Sequence, residues 1–372
     1  MQLTQLDLYR IRLPLVSPFT TSFATETHKE CYLVRAVLEH RGRTIEGWGE
    51  SVAMEAPVYS AEYLLGGIDV TQRWLAPALF AEEDLSAESA AHAMRATVGH
   101  PMAKGALEMA VLDAQLRLAK QSFADYLGVT RTEVPSGVSV GIQDTVTDTV
   151  RAVGDYLEEG YARIKLKIQP GHDVEPVRAV RRAFGDEVPL QVDANAAYVL
   201  DDAEHLARLD EFGLLLIEQP LGESDLVQHS KLARRLTTPV CLDESIVSAQ
   251  SAQDAIDLGA AAIINIKPGR VGGYLEAVKI HDLARAQGVP VWCGGMLETG
   301  VGRAANIALA AMDGFTITGD LSGSDRFFTQ DITEPIVMRN GAVEVPTGVG
   351  FGVTVDPERL VAACLQTVSC TR

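Results

Sequence analysis

The chain has 372 residues, of which 47% are hydrophobic and 22% charged, and its formal net charge is −18. This length predicts a globular protein of two domains, and the acidic balance disfavours nucleic acids and anionic membranes as partners. No apolar run reaches the roughly 18 residues of a membrane span, no secretory signal is apparent, and the five scattered cysteines are typical of reduced thiols. We therefore expect a cytoplasmic protein.

The first 130 residues combine a few strands with several helices. Strands are expected at residues 3–13, 31–39 and 43–50, and helices at 60–79, 85–97 and 103–120. This order predicts an α+β capping domain over residues 1–130. The tail, residues 335–372, is expected to fold back on this domain, with a strand at Ala342–Val345 and a final helix near Pro357–Thr367.

Residues 131–334 alternate between strand and helix patterns. Apolar runs rich in β-branched residues and bounded by Gly, Pro or acidic residues are typical of buried parallel strands. Eight are expected, at residues 134–142, 163–168, 189–195, 214–220, 239–245, 263–268, 289–295 and 314–322. Eight such units favour a closed (β/α)8 barrel of the modified TIM type over an open doubly wound sheet, and no Gly-x-Gly-x-x-Gly follows the first strand.

Five of the expected strands end in an ionisable residue at almost constant spacing. These residues are Lys167, Asp193, Glu218, Asp243 and Lys267, with successive gaps of 26, 25, 25 and 24 residues. One strand, one helix and two loops occupy about this length, so we expect each residue at the carboxyl end of a successive strand. In a barrel, that rim is where active sites are built.

The three acids of this series admit two interpretations. Taken singly, an Asp or Glu after a strand is an N-cap or a solvated loop charge. Taken together, Asp193, Glu218 and Asp243 would converge and repel one another unless a cation lay between them. An all-oxygen ligand set suits Mg²⁺, with Mn²⁺ or Co²⁺ as alternatives, rather than zinc. We expect a divalent cation and no organic cofactor.

Two lysines of the series are expected on opposite sides of the barrel, Lys167 on the second strand and Lys267 on the sixth. Lys165 points to the same side as Lys167, because side chains alternate along a strand. It is expected to lower a neighbouring lysine's pKa or to contact a substrate carboxylate, and the alternative is a structural ion pair with a metal ligand. The implied reaction is proton abstraction beside a carboxylate through an enediolate, giving racemisation with two bases or β-elimination with one.

Several motifs resemble those of the enolase superfamily. They are Lys165-Leu166-Lys167, Asp193-Ala194-Asn195, Ile217-Glu218-Gln219-Pro220, Leu242-Asp243-Glu244-Ser245, Asn265-Ile266-Lys267-Pro268, the run from Cys293 to Gly300, and Gly319-Asp320. Within the superfamily they resemble the muconate-lactonising subgroup. Over essentially the whole chain the resemblance is to the o-succinylbenzoate synthase / N-acylamino acid racemase (N-succinylamino acid racemase) family.

This resemblance implies roles for particular residues. Asp193, Glu218 and Asp243 would be metal ligands, and Lys167 and Lys267 the acid/base pair. The residues implied to support the metal or the substrate are Lys165, Asn195, Glu244 and Glu298. The residues implied to line the pocket are Phe19, Phe23, Met54, Tyr59, Ser139, Gly295, Leu297, Asp320 and Phe327. Two alternatives stay open: interdomain core for Phe19, Phe23 and Met54, and a helix cap for Asp320.

Departures from related patterns bear on the substrate. Dipeptide epimerases of the superfamily carry Asp-x-Asp at the eighth strand to hold an α-ammonium group, whereas this chain has Asp320-Leu321-Ser322, which favours an N-acylated substrate. No histidine ends a barrel strand, unlike in mandelate-racemase-like members. Arg270 lies three residues after Lys267 and is expected to tune that lysine as a base.

The expected activity is racemisation of N-acyl (N-succinyl) amino acids, with o-succinylbenzoate synthase (dehydratase) activity in the same site. The alternatives are a dedicated o-succinylbenzoate synthase of menaquinone biosynthesis and a muconate cycloisomerase. A metal-free Schiff-base aldolase and a non-catalytic binding barrel are further alternatives. The expected partners are a small-molecule carboxylate and other copies of the chain, in a homo-oligomer between dimer and octamer.

Overall fold

The computed structural model describes all residues from Met1 to Arg372. Its N-terminal domain is built on an antiparallel sheet of β1 (Gln2–Thr20), β2 (Thr25–His40) and β3 (Arg43–Ser51), completed by the last strand of the chain, β13 (Cys364–Thr371), in the order β13-β1-β2-β3. Its helices are α1 (Leu64–Val70), α2 (Ala76–Phe80), α3 (Ala87–Ala93), α4 (Pro101–Ala119) and α5 (Phe123–Tyr126), with a π-helical turn at Thr71–Leu75 and a 3₁₀ turn at Met94–Ala96.

The N-terminal sheet packs on both faces, since side chains alternate along its strands. Leu6 and Leu8 face the helices of the same domain, while Ile11 and Leu13 belong to the core shared with the barrel. Helix α4 lies so close to β3 that a Cβ on Gly47 would come 2.0 Å from the carbonyl oxygen of Ala110. Only glycine permits this approach, which fixes the sheet against the helix.

The second domain is a curled parallel sheet surrounded by helices, as expected for a modified TIM barrel. Seven strands run in the order β11-β10-β9-β8-β7-β6-β5. They are β5 (Gly137–Val140), β6 (Arg163–Lys167), β7 (Leu190–Asp193), β8 (Ile217–Glu218), β9 (Val240–Leu242), β10 (Ile263–Ile266) and β11 (Val291–Cys293). A separate pair is formed by β4 (Glu133–Pro135) and β12 (Ala342–Glu344). No helix is both long and apolar enough to cross a membrane.

Helices follow the strands as the alternating pattern predicts. They are α6 (Val146–Glu158), α7 (Val174–Phe184), α8 (Ala203–Leu206), α9 (Leu226–Ala233), α10 (Ala249–Asp257), α11 (Pro268–Val271), α12 (Tyr274–Ala286), α13 (Gly300–Ala310) and α14 (Pro357–Ala363), with 3₁₀ turns at Leu200–Asp202, Ala207–Phe212 and Ser324–Arg326. The sequence pattern also predicts a helix at Val174–Phe184, and α7 has these bounds. The predicted helix at 60–79 is instead three short elements, which begin at Leu64.

The eighth predicted strand, residues 314–322, is wrong as a regular strand. This segment makes one isolated bridge, between Val291 and Phe315, and single backbone hydrogen bonds such as Gly137 N to the Gly319 oxygen (2.9 Å). The Thr318 carbonyl, which a strand would offer to a neighbouring backbone, accepts from the Arg163 guanidinium at 2.9 Å. The barrel is therefore closed at its eighth position by isolated hydrogen bonds and a side chain.

The final helix expected near Pro357–Thr367 is correct only as far as Ala363. The chain then becomes β13, which pairs antiparallel with β1 so that Gln5 lies opposite Thr371. Val368 and Cys370, two residues apart, pack against the N-terminal core. This period of two, together with the free edge of β1, stabilises a strand where a continued helix would turn these side chains apart.

Candidate active site

The strands bring the ionisable series to one rim of the barrel. Lys167 ends β6, Asp193 ends β7 and Glu218 ends β8, and the three are neighbours across the sheet in this register. Asp243 and Lys267 follow directly after β9 and β10. All five side chains are buried, so their charges interact with one another more strongly than they would in water.

Lys165 lies beneath the rim among three carboxylates. Its Nζ atom is 2.6 Å from Asp320 Oδ2, 3.0 Å from Glu218 Oε2 and 3.2 Å from Asp193 Oδ2. Its ammonium also stands 4.9 Å from the centre of the Trp292 ring. Lys165 therefore forms ion pairs with Asp193 and Glu218, which is the arrangement described by the structural alternative for this residue.

Lys167 is held in place by two oxygen atoms at the end of the next strand. Its ammonium donates to Asp193 Oδ2 and to Asn195 Oδ1, both at 2.6 Å. Asn195, which has a positive φ of 43°, in turn donates from Nδ2 to Glu244 Oε1 at 2.9 Å. Asn195, held by Glu244, therefore fixes the direction of Lys167.

Lys267 occupies the other side of the acids. Its ammonium donates to Asp243 Oδ2 at 2.7 Å and to the Tyr59 hydroxyl at 3.2 Å, and it lies 4.9 Å from the centre of the Tyr59 ring. Arg270 forms an ion pair with the second oxygen of Asp243 and donates to the carbonyl oxygens of Ile246 and Asn265. Lys267 and Arg270 thus share one carboxylate.

The segment at the eighth barrel position contributes Asp320. Its Oδ1 atom is 2.8 Å from Nη2 of Arg163, and its Oδ2 atom accepts from Lys165. Its carbonyl oxygen accepts from Arg303 at 2.9 Å. The Asp320 side chain therefore pairs with two cations of β6 and does not cap a helix, the alternative role suggested for it by its position.

The charges of the site shift several pKa values. Burial raises the pKa of Asp193, but Lys167 and Lys165 outweigh burial and hold it well below its usual range. Burial and the charge of Asp193 raise the pKa of Glu218, and burial raises that of Glu244 to about 7. Two carboxylates of the site are thus hard to ionise, first because they are buried and second because negative charge is crowded there.

The pKa values of Lys165 and Lys267 are raised, and not lowered, by their surroundings. Burial lowers the pKa of Lys165, but the negative charges of Asp320, Glu218 and Asp193 raise it by a larger amount. The net direction is upward. The pKa of Lys267 is raised in the same way, with burial opposed by Tyr59 and Glu218. The expectation counted the repulsion between lysines, whereas the carboxylates have the larger effect.

The donor set at the rim fits a hard divalent cation, since it consists of three buried carboxylates without histidine or cysteine. Each of these carboxylates forms ion pairs with lysine or arginine side chains, namely those of Lys165, Lys167, Lys267 and Arg270, and their oxygens do not converge on one point. The group whose ligand atoms all lie within 4.8 Å of one another is a different one, His28, Glu30 and Glu55. That group has only two carboxylates, whereas the rim has three, so the rim offers more of the hard oxygen ligands that such a cation prefers.

A cavity of about 120 Å³ opens above the rim and is lined by residues of both domains. Thirteen of the predicted site residues line it: Phe19, Phe23, Met54, Tyr59, Ser139, Lys165, Lys167, Asn195, Lys267, Gly295, Leu297, Asp320 and Phe327. The predicted residues that do not line it are Asp193, Glu218, Asp243, Glu244, Arg270 and Glu298. Phe19, Phe23 and Met54 therefore face the cavity, and the interdomain-core alternative does not describe them.

Glu298 lies behind the end of β11. Its Oε1 atom accepts from the Met296 N–H at 2.7 Å and from Asn306 Nδ2 at 3.0 Å, and its other oxygen pairs with Arg303. It thereby shapes the Met296–Leu297 turn, in which Leu297 has a φ of 55°. Glu298 therefore contacts the backbone near the seventh-strand rim and does not reach the rim acids through any of these bonds.

Sequence reasoning missed several polar residues of the site, among them Lys29, Arg163, Asn265, Arg303 and Arg326. Asn265 donates to Glu218 Oε1 at 2.7 Å, and its place two residues before Lys267 on one strand face is a signal that could have found it. Lys29 lies on β2 of the other domain, where no spacing in the chain points to it.

Comparison with known families agrees with this architecture. Residues 148–359 match the enolase C-terminal domain-like family, and residues 6–128 match the N-terminal domain of the mandelate racemase / muconate lactonizing enzyme family. The chain belongs to the enolase superfamily.

Its relatives are enzymes of two named kinds. The chain is 59% identical to an N-succinylamino acid racemase from an Amycolatopsis species over 97% of both chains. It is 47% identical to an o-succinylbenzoate synthase from Geobacillus kaustophilus, over 94% of this chain and 92% of that protein. The protein is therefore an enzyme, and these relatives support an activity of the racemase or o-succinylbenzoate synthase type.

Solved structures give the same result. A crystal structure of an enolase superfamily member from Listeria innocua superposes with a TM-score of 0.95 and 38% identity, covering 100% of this chain and 99% of that one. The N-succinyl Arg/Lys racemase of Bacillus cereus superposes with a TM-score of 0.92 and 25% identity over the whole of both chains. The resemblance read from the sequence motifs is confirmed.

Proposed function

We propose that the enzyme racemises N-acyl amino acids, N-succinyl derivatives among them, by proton transfer with two lysines. The same site is proposed to form o-succinylbenzoate by dehydration of its precursor. One observation carries this proposal. Lys167 and Lys267 lie on either side of Asp193, Glu218 and Asp243, with strands β7, β8 and β9 between them. A substrate carbon above the acids would have one amine on each face.

The three acids are the proposed ligands of a divalent cation, which would stabilise the negative charge that develops on the substrate carboxylate when its α proton leaves. Lys165 is proposed to remain charged among Asp193, Glu218 and Asp320, where it balances the buried carboxylates. Asn195 keeps the Lys167 ammonium in a fixed direction. The Tyr59 hydroxyl does the same for Lys267.

Racemisation needs the two lysines in opposite protonation states. A neutral lysine on one face removes the α proton and leaves the enediolate, and the protonated lysine on the other face returns a proton to the same carbon. Configuration inverts, and the reverse reaction exchanges the two roles. β-Elimination uses the same enediolate, but only one lysine acts as a base. The ammonium that this forms gives its proton to the departing hydroxyl group, which leaves as water. One site can therefore serve both reactions.

A dedicated o-succinylbenzoate synthase is the second candidate, favoured by the 47% identity to the Geobacillus enzyme. A single experiment separates the candidates. The full-length enzyme with Mg²⁺ is incubated in D₂O with N-succinyl and N-acetyl amino acids of each hand, and α-deuterium exchange and optical rotation are followed. The dehydration substrate is run in parallel. Racemisation of both hands supports the proposal, whereas dehydration alone would leave only the second candidate.

The two-lysine mechanism is tested in the same assay with single variants. Lys167→Ala and Lys267→Ala are each expected to abolish racemisation, and each should exchange the α proton of only one enantiomer. The exposed Lys279→Ala is the matched control and should keep full activity. A Lys267→Ala enzyme that still racemised at the full rate would contradict the mechanism.

A further inference from the structure

Lys29 is a buried lysine of the site that none of the proposed steps uses. It lies on β2 opposite Leu13, and its residue is only 6% exposed. Its ammonium donates to the carbonyl oxygen of Met296 at 3.0 Å and to that of Val52 at 3.4 Å. These carbonyls are its only hydrogen-bond partners, and no carboxylate lies within ion-pair distance of it.

The acids near Lys29 do not neutralise it. Glu30 is paired with Arg10 and Arg12, and the exposed Glu55 lies 3.4 Å from His28. Glu50 acts on Lys29 only from a distance, and its oxygens accept from the start of α13 at Thr299. A buried ammonium with two carbonyl partners and no counter-ion is costly, so a ligand that supplied a negative charge would bind there favourably.

Lys29 faces the active-site cavity on the side away from the acids. It lines the cavity together with Met296 and Leu297, which follow β11, the seventh strand. The acids belong to the third, fourth and fifth strands. Apart from the lysines and Asn195, the barrel residues that line the cavity lie at or after the first, seventh and eighth barrel positions, such as Ser139, Leu297 and Phe327. A substrate whose α-carboxylate lies at the acids can therefore extend its longer arm in that direction.

We propose that Lys29 binds a second carboxylate at the far end of the acyl arm, so that the enzyme selects N-acyl groups that end in a carboxylate. This inference rests on the proposed function, because it assigns the direction of the acyl arm. Lys29 is then a specificity residue and takes no part in proton transfer.

Arg326 is the competing cation in the cavity, since it also has no carboxylate partner. It is half-buried, donates to the Ser139 carbonyl oxygen at 2.8 Å and stacks 5.0 Å from the centre of the Tyr156 ring. Water can solvate this guanidinium, so a ligand carboxylate that pairs with it gains little. The buried Lys29 gains more, and this difference in burial decides between the two.

The test compares substrates that differ in one charge. N-Succinyl amino acids end in a carboxylate, and N-succinamoyl amino acids of the same length end in a neutral amide. With Mg²⁺ and the full-length enzyme, Lys29→Gln keeps a hydrogen-bond donor without the charge, and Lys29→Met removes both. Each is expected to raise KM for the succinyl substrate by about 30-fold or more and to change the succinamoyl value little. Lys29→Arg should retain the succinyl preference.

Calorimetric binding of N-succinylglycine and N-succinamoylglycine gives a readout independent of turnover. Equal losses for both substrates in Lys29→Gln would overturn the proposal, since a residue that only ties the Met296 turn affects both alike. Loss of the preference in Arg326→Met, with the preference intact in Lys29→Gln, would overturn it in favour of Arg326. A wild type that bound N-succinylglycine through Lys29 but racemised nothing would support the anchor and refute the proposed function. Failure to bind either probe would refute the anchor.

Discussion

The ammonium of Lys165 lies 2.6 Å from the carboxylate of Asp320, and this ion pair joins the second strand of the barrel to the segment at its eighth position. Arg163, on the same strand as Lys165, takes the second oxygen of Asp320. Both oxygens are therefore occupied by cations of the protein. Asp320 has no free charge with which to hold an α-ammonium group, which agrees with an N-acylated substrate.

Replacing this carboxylate should destabilise the protein strongly. Asp320→Asn keeps the shape of the side chain but leaves Arg163, which is 1% exposed, without a counter-ion. We expect a loss of about 3–5 kcal/mol in the free energy of unfolding, measured with urea, because a buried charge is left unpaired. Asp313→Asn removes an exposed partner of Arg131 and should change stability by less than about 0.5 kcal/mol. Similar losses in both variants would contradict the role of Asp320.

Arg270→Met should separate the two proposed reactions. Asp243 is shared by Arg270 and Lys267, so without the guanidinium its negative charge acts on the lysine alone and makes the ammonium harder to deprotonate. Lys267 then fails as a base but still serves as a charged group. We expect kcat for racemisation to fall on the order of 100-fold and kcat for elimination to fall much less. An equal fall in both rates would rule out a selective role for Arg270.

Binding of Mg²⁺ should stabilise the protein through the rim acids. At a free concentration of 100 times Kd the expected gain is about 2.7 kcal/mol, which raises Tm in a thermal scan. Asp243→Asn should abolish the shift, and a chelator should abolish α-proton exchange by the wild type. Glu55→Gln, in the group near His28, is the matched control and should keep the shift. The reverse pattern would place the cation at His28, Glu30 and Glu55.

The free energy of unfolding should fall as the pH rises from 4.5 to about 7, because in this range Glu108 is protonated in the folded state but not in the unfolded state. Burial raises its pKa from 4.5 to about 7, although Tyr274 and Leu275 donate their backbone N–H groups to it. Between these pH values the unfolded chain binds fewer protons, so the loss is on the order of 3 kcal/mol. Urea unfolding from pH 4.5 to 7.5 should show a flatter dependence for Glu108→Gln. The exposed Glu223→Gln should keep the wild-type slope, and an unchanged slope in Glu108→Gln would contradict the prediction.

The sequence predicts the rim well because each member of the series directly follows a buried strand. Lys167, Asp193 and Glu218 end strands that read as short apolar runs, and alternation along a strand places Lys165 beneath them. Spacing along the chain is then enough to predict which groups meet. The same reasoning predicts helix α7 at its observed bounds, because its apolar positions recur with helical period.

What the sequence does not predict depends on contacts between distant segments. The eighth barrel segment has strand-like composition, but Arg163 takes the carbonyl of Thr318 in place of a neighbouring strand. Strand β13 forms because β1 offers an edge, a partner more than 350 positions away in the sequence. Lys29 reaches the cavity only because the N-terminal sheet docks over the barrel. None of these contacts leaves a local pattern.

The irregular closure of the barrel has a consequence for how the site adapts. A segment held by isolated hydrogen bonds can open without breaking a continuous row of them, so its amides should exchange with D₂O sooner than those within β6. This segment carries Asp320 and leads to Phe327, and both residues border the cavity. Lys165 and Arg163 fix the Asp320 side chain, so we expect the freedom of the segment on either side of that residue. Adaptation of the cavity wall to the two proposed substrates would therefore come from the least regular part of the barrel.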